Sequence, residues 1–166
     1  MAYMKVKGLD EYAEKVQRLS KNADKIMRRA VYKGGGVVAD AVKKGLGDIP
    51  IQEGPNGLPP YARRGEKLTG VSSRQKKDLI KSMGLAPIQE KELGYINTKL
   101  GFDGYGSVPT KSHPNGIPNT LLMRSIESGT SFRKKNAVVR RSVNQAKTSA
   151  VKAMADTIDD ELRKEI

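Results

Sequence analysis

Apolar side chains return every three or four positions from Leu9 to Lys44, through Leu9, Tyr12, Ala13, Val16, Leu19, Ala23, Ile26, Ala30, Val37, Val38, Ala41 and Val42. That is the period of a helix with one apolar face, so the spacing predicts a long helix over 9–44. Asp10, Glu11 and Glu14 stand in its first turns, where the helix dipole favours acids. Gly34-Gly35-Gly36 falls inside the pattern. Each glycine costs about 1 kcal/mol relative to alanine in a helix interior, so three in a row predict a kink, a break or a close backbone contact. Gly45 and Gly47 end the pattern.

The middle of the chain reads differently. Pro50, Pro55, Asn56, Gly57, Pro59, Pro60 and Gly65 predict an extended loop over 48–70, made basic by Arg63, Arg64 and Lys67 around the single aromatic Tyr61. A short helix is expected over 73–83, with Leu79, Ile80 and Met83 as its apolar side. Two short strands follow, at 85–89 and 93–100, joined by a polar turn at Glu90 to Glu92 and forming a small antiparallel sheet. The Gly/Pro-rich stretch 102–118 reads as a mobile loop or a hairpin extension. Leu121, Leu122 and Ile126 predict a short helix over 120–127, stopped by Gly129. Val139, Val143, Ala146, Ala150, Val151, Met154, Ile158, Leu162 and Ile166 then mark a long helix over 135–165. At 1.5 Å per residue such a rod is roughly 45 Å long. That is more than a small core can cover, so one end is expected to project or to meet another subunit. The expectation is a single α+β domain over 1–166, two long helices packed with a small sheet and two extended loops.

Composition adds a partner class. Lys and Arg number 31 against 18 Asp and Glu, a net charge of +13. Such a balance favours polyanions: nucleic acid, an acidic protein surface or an anionic membrane. Aromatic residues make up only 5% and Trp is absent, which suggests that part of the stability comes from packing against neighbouring subunits. With no Cys, disulfides and thiolate chemistry are excluded. The Met1-Ala2-Tyr3-Met4-Lys5 start has no apolar core of a signal peptide, and no apolar run approaches the ~20 residues of a membrane span. Synthesis in the cytoplasm, without a membrane partner, is the expectation.

The charge is not evenly spread. Arg133, Lys134, Lys135, Arg140, Arg141, Lys147 and Lys152 follow one another with no acid between them; Asp156, Asp159, Asp160, Glu161 and Glu165 then dominate the end. This order opposes the helix dipole, which prefers acids first and bases last by some 0.3–1 kcal/mol per well-placed charge. Two functional demands fit: the basic half faces phosphates, or it meets the acidic half of the next copy. A solvated, screened face is the third reading.

Candidate chemistry is sparse. His113, in Ser112-His113-Pro114-Asn115-Gly116, is the only histidine, too little for a usual zinc site or for a triad beside a nucleophile elbow. Neither glycine cluster, Gly34–Gly36 or Gly101 to Gly106, matches a phosphate-binding loop. No catalytic residue, metal ligand or cofactor is therefore expected. The acids of the last helix read as keeping it solvated rather than as a metal nuclease.

Several short motifs occur in an ordered series: Val6-Lys7-Gly8-Leu9-Asp10-Glu11-Tyr12 opens the first helix, and Lys77-Asp78-Leu79-Ile80-Lys81-Ser82-Met83 precedes the strands. Ile126-Glu127-Ser128-Gly129-Thr130-Ser131-Phe132 then leads into Val138-Val139-Arg140-Arg141-Ser142-Val143. The series resembles the lambdoid-type family of tailed-bacteriophage neck or tail-completion proteins, the head–tail connector and minor tail components. Glu127, Gly129 and Thr130 match its Glu-x-Gly-Thr motif most specifically. Ser128 and Asn136-Ala137 stand where the family carries an aromatic and Pro-Phe, and 102–118 stands where it has a strand. The resemblance implies a structural virion protein of a long-tailed phage, made in the host cytoplasm. It implies a cyclic ring of roughly six or twelve copies, whose head-to-tail interfaces such a ring requires. The implied neighbours are head-completion or connector proteins, tail-tube or tail-terminator proteins, and packaged DNA held by non-specific contact. A stand-alone basic nucleic-acid-binding protein is the alternative, although no helix-turn-helix or aromatic stacking platform accompanies the charge.

Overall fold

The N-terminal apolar stripe forms one unbroken helix, α1 (Leu9–Gly47), in the computed structural model, which describes residues 9–91 and 95–165. The three glycines do not break it, and the expected close contact is observed. A Cβ added at Gly34 would stand 2.5 Å from Met154 Cγ and 3.2 Å from the Ala150 carbonyl oxygen. Eleven residues on, three helical turns along the same face, Gly45 leaves room for Ser142 and Val138. The helix that fills this seam is α4 (Val138–Glu165). Gly45 meets Ser142, Gly34 meets Ala150, and Asn22 meets Glu165, so the two helices run antiparallel. Small residues let them approach closely, and Ala30, Ala146 and Ala150 are buried along the same seam.

The predicted α+β class is observed: two long helices packed together with small antiparallel two-stranded sheets. Helix α2 (Ser73–Ser82) starts at a reciprocal cap, in which Gln75 N–H donates to Ser72 Oγ (3.2 Å) and Ser72 N–H donates to Gln75 Oε1 (3.1 Å). It stops one residue short of expectation because Met83 takes an extended conformation and opens β1 (Met83–Leu85). β2 (Gln89–Lys91), β3 (Tyr95–Asn97) and β4 (Leu100–Phe102) follow. β1 pairs with β4 and β2 with β3, both antiparallel.

The two expected strands are thus the arms of one hairpin, each split in two. Residues 86–88 stand opposite only 98 and 99, a bulge of one residue. Pro87 sits in it and has no N–H to give to a ladder, while Thr98 Oγ1 donates to the Ala86 carbonyl at 2.7 Å. Glu90, expected in the turn, lies in β2 and pairs with Arg28 of α1, which ties the hairpin to the helix. The expected strand residues 93 and 94, the turn residue 92, the motif residues Val6 to Gly8 and Ile166 of the last apolar row lie outside the described residues.

Both long loops are more ordered than their composition predicts. The 48–70 segment holds a short 3-10 turn, Pro55–Gly57, and its two ends are stitched together. Gln52 N–H donates to the Val71 carbonyl (2.8 Å), and Gln52 Oε1 accepts from Thr69 and Gly70 N–H. The returning strand of the loop then pairs with 132–134 through Leu68. The 102–118 segment is a hairpin extension: Gly106 N–H donates to the Ile117 carbonyl, and Thr110 and His113 exchange backbone bonds. Asp78 Oδ2 fixes its start by accepting from Ser107 N–H and Oγ–H. Helix α3 (Asn119–Ser128) ends at Gly129, whose φ of 75° suits glycine.

The core lies at one end of the molecule. Val42, Leu46 and Ile49 at the end of α1 pack with Val71, Leu79, Met83, Leu122, Met123, Ile126 and Val138. At the opposite end α1 runs on past the last described turn of α4, and residues 11–18 are all exposed.

Candidate functional site

The residues that carry the Glu-x-Gly-Thr motif form the corner between α3 and α4. Glu127 Oε2 accepts from Val139 N–H at 2.9 Å and Oε1 from Arg140 N–H at 3.0 Å. The carboxylate therefore satisfies two of the free N–H groups at the start of α4 and places a negative charge at its positive end. Helix α4 has no acid in its own first turn. The charge order that opposes the dipole along the chain is thus offset by an acid from the preceding helix, a correction to the reading from α4 alone. Gly129 turns the chain, and a Cβ there would stand 3.0 Å from Lys135 N. Thr130 N–H donates to the Arg133 carbonyl at 2.9 Å, closing the corner. Because of this corner α4 begins at Val138, and Lys135 to Ala137 precede it. Glu127→Ala should lower stability by about 0.5–2 kcal/mol, the range of a lost helix cap. Glu127→Gln, which keeps an acceptor and removes the charge, should lose less; chemical denaturation of the three proteins checks the order.

The basic series divides. Arg133 is buried, with Nη1 donating to the Gly70 carbonyl at 2.6 Å and Nε without a partner among the described residues. Burial pushes its pKa down from the usual arginine range. It braces the 48–70 loop and does not join the outward-facing set. Lys134, Lys135, Arg140, Arg141, Lys147 and Lys152 are exposed. Arg140 and Lys147, seven residues apart, share one row of α4; Arg141 and Lys152, eleven apart, share another, roughly 100–140° further round the helix. Among the described residues none of these cations is in an ion pair; Arg141 Nη2 donates to Asn136 Oδ1 at 3.2 Å.

The acidic end divides too. Asp156, Asp159 and Asp160 are exposed, whereas Glu161 is half-buried and engaged within the chain. Lys164 Nζ, at 2.6 Å, and Arg29 both hold the Glu161 carboxylate, and its pKa is lowered by Lys164 first and then by Arg29. Asn22 Nδ2 donates to Glu165 Oε1 at 3.0 Å. This end of α4 is fastened to α1, which the charge pattern did not reveal.

A groove of about 980 Å³ opens between the two Gly/Pro-rich loops. Leu58 and Tyr61 wall it from the first loop, His113 from the second, and Leu121 and Phe132 from the α3–α4 region, with buried Arg133 and Thr130 among its lining. Thr130 Oγ1 has no hydrogen-bond partner among the described residues. The sequence marks Tyr61 as a lone aromatic and gives no sign that the loops face each other across an apolar channel. A second hollow, about 1020 Å³, follows β1 and β4. Among the described residues no group of His, Asp and Glu is placed to hold a metal ion, and no helix is long and apolar enough to cross a membrane.

Compared with protein-family models, curated proteins and solved structures, the chain matches none of them.

Proposed function

We propose that this chain is a non-enzymatic structural virion protein of a long-tailed bacteriophage, forming a cyclic ring at the neck or tail end that joins head to tail around the DNA channel. The ordered motifs over nearly the whole chain are the ground for the phage assignment. The single observation that carries the mechanism is the outer face of α4, where Arg140, Arg141, Lys147 and Lys152 stand exposed in two rows that flank it, without ion-pair partners among the described residues. Cations placed this way meet a phosphate backbone without reading its sequence, which is the contact that passing DNA requires. Subunit pairing through the acidic end is the competing use of these charges: Glu161 and Glu165 are already engaged with α1, which leaves Asp156, Asp159 and Asp160 exposed for it. The corner built by Glu127, Gly129 and Thr130 gives the most specific motif a mechanical role, since it sets the angle at which α4 leaves the core.

The neighbours in this reading are a head-completion or connector protein on one side and a tail-tube or tail-terminator protein on the other. Removing the gene from the phage tests it. DNA-filled heads and separate tails should accumulate, and purified protein added to them should restore joined particles. Joined, infective particles formed without the chain would contradict the proposal.

A further inference from the structure

The groove between the two Gly/Pro-rich loops has a one-sided lining. Lys111, His113 and Arg133 help to form it, and none of the residues that line it is Asp or Glu. Leu58, Tyr61, Leu121 and Phe132, four of the large apolar side chains left exposed, stand around these groups.

Local pairing explains why an arginine lies there. Leu68 N–H donates to the Phe132 carbonyl and Lys134 N–H to the Leu68 carbonyl, both at 2.9 Å, which sets Leu68 beside Arg133. Side chains alternate across such a pair. Lys67, Thr69, Phe132 and Lys134 are exposed, whereas Leu68 and Arg133 are buried. Arg133 also faces Thr130 across the corner turn, where Thr130 N–H donates to the Arg133 carbonyl at 2.9 Å, so both side chains leave the turn on one side.

Arg133 is only 6% exposed, and among the described residues no carboxylate stands within ion-pair distance of it. Its Nη1 reaches the Gly70 carbonyl, while Arg133 Nε and Thr130 Oγ1 are buried without partners among the described residues. A guanidinium carries a fork of donors and a full charge. One carbonyl offsets little of what its burial costs.

We propose that the groove is a docking site for an apolar peptide segment of another protein, held by one Asp or Glu carboxylate over Arg133 and Thr130. The acid supplies the missing counter-charge and takes up donors that have no acceptor. Exposed Arg63 and Arg64, which follow the groove residue Ala62, turn away a basic segment. Aromatic residues together with arginine are enriched at the centres of protein–protein contacts, and Tyr61 and Phe132 share the groove with Arg133. A small free acid would neutralise the charge and leave those walls in water; a peptide covers both. The site belongs to a single copy of the chain and does not depend on the ring reading.

Random heptapeptides displayed and selected on the whole protein supply the probe. Selected sequences should carry an Asp or Glu beside apolar residues. The best of them, synthesised with both ends blocked, should bind about tenfold or more weakly once its acid is changed to the amide. On Arg133→Gln protein the same change in the peptide should cost less than about twofold, because the partner of the acid is gone. Phe132→Ala, at an exposed position on the wall, should weaken the peptide by about tenfold even if Arg133→Gln does not fold. Lys33→Gln, an exposed cation of α1 outside the groove, should leave binding unchanged. Excess acetate should not displace the peptide. Selected peptides without an acid, or none above those a blank surface yields, overturn the inference. So do an equal loss from the amide peptide on both proteins, full binding by Phe132→Ala, and displacement by acetate, which would assign the groove to small free acids.

Discussion

Leu46→Ala should cost the protein about 2–5 kcal/mol, while Tyr12→Ala on the same helix should change stability by less than about 0.5 kcal/mol. Leu46 has no exposed surface and packs at the centre of the core with Ile49, Val71, Leu79 and Val138; Tyr12 is largely exposed at the other end of α1. Total stabilities are typically about 5–15 kcal/mol, so the first change threatens folding at physiological temperature, and a fall in thermal midpoint of some 5–20 °C is the direct readout. The contrast matters because the period along α1 is uniform, and hydrophobic pattern alone would assign both residues to one core. A comparable loss at Tyr12 would mean that the N-terminal turns are covered within the copy.

Replacing Arg140, Arg141, Lys147 and Lys152 together by Ala should leave the thermal midpoint within a few degrees, because all four side chains are exposed and none is in an ion pair among the described residues. Binding of the assembled protein to duplex DNA should change sharply. Each phosphate contact contributes about 0.9 to the slope of log affinity against log salt, so removing four lowers the slope by roughly 3–4. Between 50 and 200 mM salt that separates the two proteins by about two orders of magnitude in how steeply binding falls. An unchanged slope with smaller assemblies would assign these cations to contacts between copies.

Much of the fold was legible because the helices are long and periodic. The apolar row of α1 and that of α4 each locate a helix to within a few residues, and Gly129 and Ser72 mark an end and a start through known cap chemistry. What stayed hidden depends on partners distant in sequence. The glycines at 34–36 cost helix propensity locally, yet the helix continues because Met154 and Ala150 of α4 come close enough to use the missing side chain at Gly34. The strands are divided by Pro87 and by a one-residue mismatch that exists only once both arms are aligned. Glu127 reads as a motif letter, and only the folded corner turns it into the cap of α4. Arg133 belongs to the basic run by sequence, but the neighbouring turn points its side chain inward to Gly70. The groove was beyond reach for the same reason: its walls come from segments more than fifty residues apart.

The measurement that bears most directly on the proposed neck ring is native mass spectrometry of the purified protein, alone and with duplex DNA, paired with electron microscopy of the same samples. A neck ring predicts a discrete cyclic oligomer, complete on its own or on addition of phage heads or tails, with a central channel wide enough for one duplex, roughly 20 Å or more, and DNA binding that depends on the assembled form. A monomer at every concentration and with every component, binding duplex DNA tightly by itself, would contradict it and establish the stand-alone nucleic-acid-binding protein instead.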